Sequence, residues 1–251
     1  MGVVWITALG VGGATMVGAI LGFFIKKIPH RFNDIILGFA AGVMLCAAVF
    51  GLIAPALETG GIPNTLLVCV GVIAGAWFLS LIDKFIPHLH KMAGVPEGNL
   101  ENKEQLNRVL LFVLAIAIHN LPEGIAAGVS FGTGNISDAL TVAGGIALQN
   151  IPEGMVIISP MLAAGVSKSK TLYIALLTGV VEVLGTFIGY FAVEFSGAIL
   201  PFALAFAGGT MLYVISDEMI PETHAHGFEK GATYALLIGF CVMLLLDALI
   251  G

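Results

Sequence analysis

The sequence predicts an all-α membrane protein with eight transmembrane helices in a single domain. Three observations carry this prediction: hydrophobic residues make up 58% of the 251 residues, charged residues make up 10%, and the mean hydropathy is +1.03. Soluble domains carry charges on roughly 25% of their residues, so an ordinary water-soluble core is excluded. A helix that crosses a bilayer needs about 20 mostly apolar residues, and the chain offers eight such stretches.

The eight predicted spans follow from these apolar stretches. They cover residues 3–25, 35–57, 62–86, 107–131, 138–164, 171–195, 201–220 and 231–250. The first span begins close to Met1 without a basic leader or a small-residue cleavage site, which predicts a retained helix. Residues 87–106 are polar and contain Pro, Gly and both signs of charge, which predicts a cytoplasmic loop.

The positions of the basic residues predict the orientation of the spans. All ten Lys and Arg residues lie at alternate connections between spans. They are Lys26, Lys27, Arg31, Lys84, Lys91, Lys103, Arg108, Lys168, Lys170 and Lys230. Short cytoplasmic loops accumulate Lys and Arg, so these connections face the cytoplasm and both termini are extracellular or periplasmic. One span more or fewer would place the basic residues on both sides of the membrane, so their pattern also supports a total of eight spans.

Two internal similarities predict an inverted repeat. HNLPEG at 119–124 recurs as QNIPEG at 149–154, and LGFAAGVML at 37–45 resembles LAFAGGTML at 204–212. The two copies of each pair lie in spans that run in opposite directions. Inverted repeats with a substrate site near the midplane build many secondary transporters, so we expect a 3+2+3 arrangement around spans four and five. The matched small residues are alternatively close-packing positions of an ordinary bundle.

Three carboxylates lie near the middle of predicted spans, with no Lys or Arg at a comparable depth. They are Glu123, Glu153 and Glu182. An unpaired carboxylate in the membrane interior is costly unless it is neutral, hydrated or bound to a cation. The pattern therefore favours protons or metal ions as the ligands of these side chains.

Helical spacing adds further donors to the faces that carry these glutamates, because residues three and four apart share a face. The side chains on these faces are His119, Asn120 and Glu123 in span four, and Gln149, Asn150 and Glu153 in span five. Imidazole, carboxylate and amide donors together suit first-row divalent ions. Mixed nitrogen and oxygen ligands without thiolates also fit a carrier that must release its ion.

Pro122 and Pro152 precede two of the glutamates and interrupt the helical hydrogen bonding there. Proline has no N–H, so the carbonyls of Ile118 and Leu148, four residues earlier, lose their donors. Irregular backbone at membrane depth is tolerated where it lines a cavity, so the freed oxygens add ligands or hydrate a path. Two ordinary kinks are the alternative interpretation.

Several other residues have both a functional and an ordinary interpretation. Glu58 and Asp247 are entrance carboxylates or solvated helix ends, and Asp217 and Glu218 line an exit path or the membrane interface. The pairs that receive or sense metal on the cytoplasmic side, or are simply exposed, are His88 with His90 and His224 with His226. Cys46, Cys69 and Cys241 lack the spacing of a metal or disulfide site, so we expect them to pack in the bundle.

With these motifs the chain resembles the Zrt/Irt-like (ZIP) metal transporters, and in particular their prokaryotic GufA-type branch. The resemblance covers essentially the whole chain and is most specific in HNLPEG followed by QNIPEG. It implies a binuclear metal site in which Glu123 and Glu153 bridge two ions. The implied ligands are Met44, His119, Glu123, Gln149 and Glu153 for one ion, and Asn120, Glu123, Asn150, Glu153 and Glu182 for the other. Some relatives carry Asp where this chain has Asn150, so the second metal site has one negative charge fewer here.

The same resemblance implies transport of divalent ions into the cytoplasm, by movement of spans 1, 4, 5 and 6 against spans 2, 3, 7 and 8. Zinc is the favoured cargo, with cadmium, iron and manganese also admitted. The expected partners are the metal ion, the bilayer of the cell membrane and a second copy of the chain, without nucleic acid, a catalytic cofactor or an enzyme activity. Two alternatives stay open: a metal-selective channel, and an intramembrane metal-dependent hydrolase, although HExxH and GxSxG motifs are absent.

Overall fold

The computed structural model describes residues 1–24, 29–58, 60–92 and 100–250. Within these ranges the chain is helical and forms no strands, and we label its main helical segments α1 to α8. They are α1 Gly2–Gly22, α3 Gly61–Met92, α4 Leu100–Ser130, α5 Ile136–Ala163, α6 Lys168–Phe195 and α8 Glu229–Ile250, with α2 and α7 each built from three pieces. The pieces of α2 are His30–Cys46, the π-helical Ala47–Ile53 and Ala54–Leu57; those of α7 are Leu200–Val214, the π-helical Ile215–Met219 and Ile220–Thr223.

Seven helices in the described part of the chain are long and apolar enough to cross a membrane. They correspond to predicted spans one to three and five to eight, while α4 coincides with predicted span four without being among the seven. The prediction of an all-α membrane protein is confirmed at this level. Helices α3 and α4 extend into the predicted loop 87–106, because α3 ends at Met92 and α4 begins at Leu100; residues 93–99 lie outside the described residues.

Close backbone contacts at glycines join several of the helices. At each contact, a side chain in place of the glycine would collide with the backbone of the neighbouring helix. The contacts are Gly18 and Gly154 between α1 and α5, Gly12 and Gly179 between α1 and α6, Gly124 and Gly185 between α4 and α6, Gly42 and Gly239 between α2 and α8, and Gly75 and Gly209 between α3 and α7. Small residues allow such approach in membrane bundles. These contacts join α1, α4, α5 and α6, which we call the first group. They also join α2 to α8 and α3 to α7, and Gly208 of α7 faces the Ile53 side chain of α2; we call these four helices the second group.

Helix α5 of the first group meets the second group through side chains. A side chain at Gly51 of α2 would meet the side chain of Val142 on α5, and one at Gly145 of α5 would meet the flexible end of Met243 on α8. One apolar core cluster includes residues of both groups, among them Ile146 of the first group. Contacts between the groups are therefore softer at these points than the glycine contacts within each group.

Helices α2 and α7 share an irregularity directly after the sequence stretches that resemble one another. Each helix changes to π-helical geometry, at Ala47–Ile53 and at Ile215–Met219, and each has a proline just beyond, Pro55 and Pro221. A π-helical turn interrupts the regular ladder and is frequent at functional sites. The shared irregularity agrees with the predicted inverted repeat, which stays a prediction.

Candidate metal site

Two adjacent amides of α5 hold carboxylates of the two helices beside it. Gln149 Nε2 donates a 2.7 Å hydrogen bond to Glu123 Oε1 on α4, and Asn150 Nδ2 donates a 2.5 Å hydrogen bond to Glu182 Oε1 on α6. Asn150 Nδ2 also lies 3.2 Å from the carbonyl oxygen of Val11 on α1. All four side chains, Glu123, Gln149, Asn150 and Glu182, are fully buried. We call these four residues the amide–carboxylate layer.

The local sequence explains how this layer forms. Consecutive residues of an α-helix point about 100° apart, so Gln149 and Asn150 reach different neighbours of α5. Gly124 follows Glu123 directly, and a side chain at Gly124 would collide with the backbone carbonyl of Glu182. The glycine therefore lets α4 approach α6 at the depth of the two glutamates, which places their carboxylates around the same part of α5.

One oxygen of each side chain in the layer has no hydrogen-bond partner. These buried atoms are Glu123 Oε2, Gln149 Oε1, Asn150 Oδ1 and Glu182 Oε2. Asn120, one turn away on α4, lacks a partner at both of its amide atoms. An unsatisfied buried polar group costs about 1–3 kcal/mol, and native proteins retain few of them. Carboxylate and amide oxygens are ligands of divalent cations, so the chemistry of this donor set fits a bound metal ion.

The carboxylates of the site lie within electrostatic reach of one another. Glu123 interacts with Glu153 and Glu182, and Glu153 also interacts with His119. The carboxylates Glu218 and Asp34 each contact a histidine, His119 and His226, and neither contact brings a Lys or Arg side chain to the glutamates of the site. Within the same residues, no three His, Cys, Asp or Glu side chains are close enough to hold one ion. A metal site here therefore needs amide ligands, a rearrangement of the carboxylates, or both.

A cavity of about 460 Å³ lies between α2, α4, α5 and α7, one helical turn from the layer. Its ionisable lining residues are His119, Glu153, Asp217, Glu218 and Glu222. His119 Nε2 lies 2.7 Å from Glu218 Oε1, so this contact joins α4 of the first group to α7 of the second. The cavity lies toward the beginnings of α2 and α4 and the ends of α5 and α7, the end of the molecule that carries the basic residues. It therefore faces the predicted cytoplasmic side.

Residues 94–247 match the protein family described as "ZIP Zinc transporter". Over its full length the chain is 42% identical to the zinc transporter GufA of Myxococcus xanthus, and the alignment also covers 100% of that protein.

The chain belongs to the ZIP family.

Two further relatives agree. The zinc transporter ZIPB of Bordetella bronchiseptica is 37% identical over 95% of this ZIP chain and 78% of its own length. The human zinc transporter ZIP11 is 34% identical over 95% of this chain and 94% of its own. These similarities confirm the predicted family and its GufA-type branch. They make the chain a multi-pass protein of the cell membrane from a family of transporters.

The predicted ligands of this ZIP chain fall into three environments. Glu123, Gln149, Asn150 and Glu182 form the layer, with Asn120 buried beside it, while His119 and Glu153 line the cavity. Met44 is buried in the apolar core and does not line the cavity. The structure thus brings the polar residues of spans four to six to one region, and their role as metal ligands stays a prediction.

The other predicted positions have simpler surroundings. Asp217 and Glu218 line the cavity, which agrees with a place on an exit path. His226 Nδ1 lies 3.0 Å from Oδ1 of Asp34, a fully buried residue of α2, and His224 Nδ1 lies 2.8 Å from the Ile220 carbonyl oxygen at the end of α7. Glu58 and Asp247 are exposed. The side chains of His88 and His90 lie outside the described residues.

Two local features add detail to the sequence-based expectation. Helices α4 and α5 continue through Pro122 and Pro152, so the prolines do not end or divide the helices. The contact of His119 with Glu218 was not predicted, because 99 residues separate them and no spacing rule relates them. The acidic pair at 217–218 was the only sequence signal that pointed to this partner.

Proposed function

We propose that this ZIP chain carries divalent transition-metal ions, with zinc as the main cargo, across the membrane into the cytoplasm. The observation that carries the proposal is the group of buried oxygens without partners in and beside the amide–carboxylate layer. The three relatives described above are all named zinc transporters. Mixed nitrogen and oxygen donors also admit cadmium, iron and manganese.

The ion binds between α4, α5 and α6 in this proposal. The residues for the first position are Met44, His119, Glu123, Gln149 and Glu153, and those for the second are Asn120, Glu123, Asn150, Glu153 and Glu182. Burial of the layer and the mutual interaction of its carboxylates support a positive occupant, because like charges in a membrane interior need a counter-ion. His119 contacts Glu218 in this conformation, so the imidazole is engaged outside the layer, as expected after release of an ion.

Transport proceeds, in the same proposal, by movement of the first helix group against the second. The glycine contacts support a first group that moves as a body, and the side-chain contacts of α5 with α2 and α8 support a boundary that can slide. With both termini outside, the cavity opens toward the cytoplasm and the conformation is inward-facing. The homodimer stays a prediction from the family resemblance.

Zinc uptake into proteoliposomes tests the function and the site together. We expect Glu123→Ala and Glu153→Ala each to reduce zinc uptake to the level of protein-free liposomes, because each removes a bridging carboxylate. Glu229→Ala is the matched control, since Glu229 is an exposed carboxylate at the start of α8, and its uptake should equal that of the wild type. Wild-type uptake in both test variants would contradict the assignment of the site.

The same vesicles distinguish the remaining alternatives. A carrier gives zinc uptake that saturates at a low turnover, whereas a channel gives single-channel conductance in planar bilayers. Competition of zinc uptake by cadmium, iron and manganese ranks the ions. Peptide cleavage that depends on Glu123 would favour a hydrolase instead.

A further inference from the structure

The amide N–H groups of Gln149 and Asn150 donate hydrogen bonds to the buried carboxylates of Glu123 and Glu182. In this conformation they supply the positive partner that a bound cation would otherwise supply. Asn150 Nδ2 faces two acceptors, the Glu182 carboxylate and the Val11 carbonyl oxygen, so the orientation of this amide is fixed by chemistry. Gln149 Nε2 likewise faces an oxygen of Glu123. Each amide therefore acts as a donor here, whereas a metal ligand must present its oxygen.

The oxygens of the same two amides have no partner, although they are buried. Gln149 Oε1 and Asn150 Oδ1 share this property with the second carboxylate oxygens, Glu123 Oε2 and Glu182 Oε2. Every side chain in the layer thus has one atom engaged with another member and one oxygen without a close hydrogen-bond partner, and the Glu182 carboxylate additionally has the Thr15 hydroxyl of α1 within reach. Rotation about the terminal side-chain torsion exchanges the nitrogen and oxygen of an amide without moving the backbone.

We propose that Gln149 and Asn150 are positioning residues that stabilise the empty carrier. In the empty state their N–H groups hold Glu123 and Glu182, and in the loaded state each amide turns its oxygen to the ion. This inference rests on the proposed function, because it requires that an ion binds at the layer.

A carrier must move back to its outward-facing state after the ion has left, and the amide donors stabilise the buried carboxylates during this step. After the ion leaves, the carboxylates remain buried within reach of one another, and no Lys or Arg among the described residues pairs with them. A hydrogen bond to a charged group is strong enough to change a population by about tenfold or more. Donors on α5 belong to the same helix group as both carboxylates, so they travel with them through the whole cycle.

A permanent ligand role predicts something different. If Gln149 served the ion only through its oxygen, a carboxylate at this position would replace it in both the empty and the loaded carrier. If its N–H groups stabilise the empty state, Gln149→Glu keeps an oxygen for the ion but places two carboxylates against one another when the ion is absent. The two roles therefore predict different effects of Gln149→Glu: a ligand role leaves the movement of the empty carrier unchanged, whereas a role in the empty state slows that movement and spares the loaded carrier.

Two zinc fluxes measured with Gln149→Glu in proteoliposomes distinguish the two roles. Exchange of radioactive zinc between zinc-loaded vesicles and medium needs only the loaded carrier, whereas net uptake into zinc-free vesicles also needs the empty carrier to return. We expect exchange to persist while net uptake falls by about tenfold or more relative to exchange. An unchanged ratio of net uptake to exchange would overturn the proposal.

Thermal unfolding of the full-length protein in detergent gives a second measurement if the variant shows neither flux. The metal-free Gln149→Glu protein should unfold at a lower temperature than the wild type, and added zinc should raise its Tm by more than it raises that of the wild type. The double variant Glu123→Gln with Gln149→Glu restores one amide and one carboxylate, so its metal-free Tm should recover. A wild-type Tm in the single variant, or no recovery in the double variant, would overturn the proposal.

Failure of the inference and failure of the proposed function give different results. If wild-type vesicles show neither zinc uptake nor zinc exchange, the proposed function is wrong. If wild-type vesicles show both and Gln149→Glu keeps the wild-type ratio, the function stands and the role of the amides is wrong.

Discussion

The interior of this ZIP chain has two polar regions, and they differ in which helices build them. The amide–carboxylate layer lies within α4, α5 and α6 of the first group, and its members are fully buried and bond one another. The cavity lies between the two groups, and the acidic residues that α7 contributes to it, Asp217, Glu218 and Glu222, are partly or fully exposed, whereas Glu153 of α5 lines it as a buried residue. The difference separates two tasks: the polar residues that would hold an ion belong to the first group, with Met44 of α2 the one proposed ligand outside it, and the acidic residues of α7 that would receive the ion belong to the second group.

The backbone contacts follow the same division. Glycines of the first group bring α1, α4, α5 and α6 together at the depth of the layer, whereas α5 faces α2 and α8 through side chains. A region that must keep its geometry is thus built on direct backbone contacts, and a boundary that must change is built on side chains that can adapt. The following variants test whether function and stability divide in this way.

The largest expected difference is between a carboxylate of the layer and one of the cavity. Glu182→Gln should reduce zinc uptake to background, because it removes a buried charge while keeping the shape and an acceptor for Asn150. Glu222→Gln, at the exposed rim of the cavity, should change uptake by less than about threefold, since exposed charges mainly affect local ion concentration. Equal losses in the two variants, measured as initial rates in proteoliposomes, would remove the functional distinction between the regions.

Two glycines of α5 compare the contacts within and between the groups. Gly154→Ala adds a methyl group against the backbone of α1 at Thr15, whereas Gly145→Ala adds it against the flexible end of Met243. We expect Gly154→Ala to destabilise the protein by about 1–3 kcal/mol and to lower Tm by several degrees. Gly145→Ala should stay near the wild-type Tm in the same thermal unfolding experiment, and the reverse order would contradict the division into groups.

The contact of His119 with Glu218 tests the link between the regions. Glu218→Gln weakens a contact between His119 and residue 218 that must break before the groups move apart, and partly exposed contacts of this kind contribute at most about 1 kcal/mol. Turnover of zinc should therefore rise by up to about fivefold while KM stays near the wild-type value. Asp217→Asn is the matched control, with both parameters expected to be unchanged. A change in KM alone would instead make Glu218 a ligand during ion binding.

The smallest expected effect concerns access to the cavity. In a variant without Cys46, Cys69 and Cys241, the substitution Ala225→Cys places a thiol in the cavity wall and should leave zinc uptake unchanged. A membrane-impermeant thiol reagent should label this position from the cytoplasmic side only. Glu58→Cys, at the predicted outer end of α2, is the opposite control. Labelling of the two positions from the same side would contradict the predicted orientation.

The sequence predicted the fold because the membrane limits the choices. Apolar stretches of the right length and the alternate placement of basic residues specified eight helices. Seven of them, in the described part of the chain, are long and apolar enough to cross a membrane. The π-helical segments of α2 and α7 were not predicted, since apolar composition does not distinguish π-helical from α-helical geometry. Helices α3 and α4 extend into the range of the predicted loop 87–106, because polar residues are also compatible with helix ends such as that at Met92.

The candidate site was only partly accessible to sequence reasoning. Helical spacing predicted that His119 shares a face of span four with Glu123 and that Gln149 shares a face of span five with Glu153, because i, i+3 and i+4 positions share a face. It did not predict that Gln149 and Asn150 act as donors to two different helices, since that depends on how α5 packs between α4 and α6. The same limit hid the contact between His119 and Glu218, which spans the boundary between the groups.

Equilibrium binding of zinc to the purified protein tests most directly the claim that the layer holds the ion. Wild type, Glu123→Gln and Glu222→Gln are compared in detergent with radioactive zinc at one pH. We expect Glu222→Gln to bind zinc as the wild type does and Glu123→Gln to lose binding. Retained binding in Glu123→Gln together with lost binding in Glu222→Gln would place the ion at the exposed rim of the cavity and not at the layer.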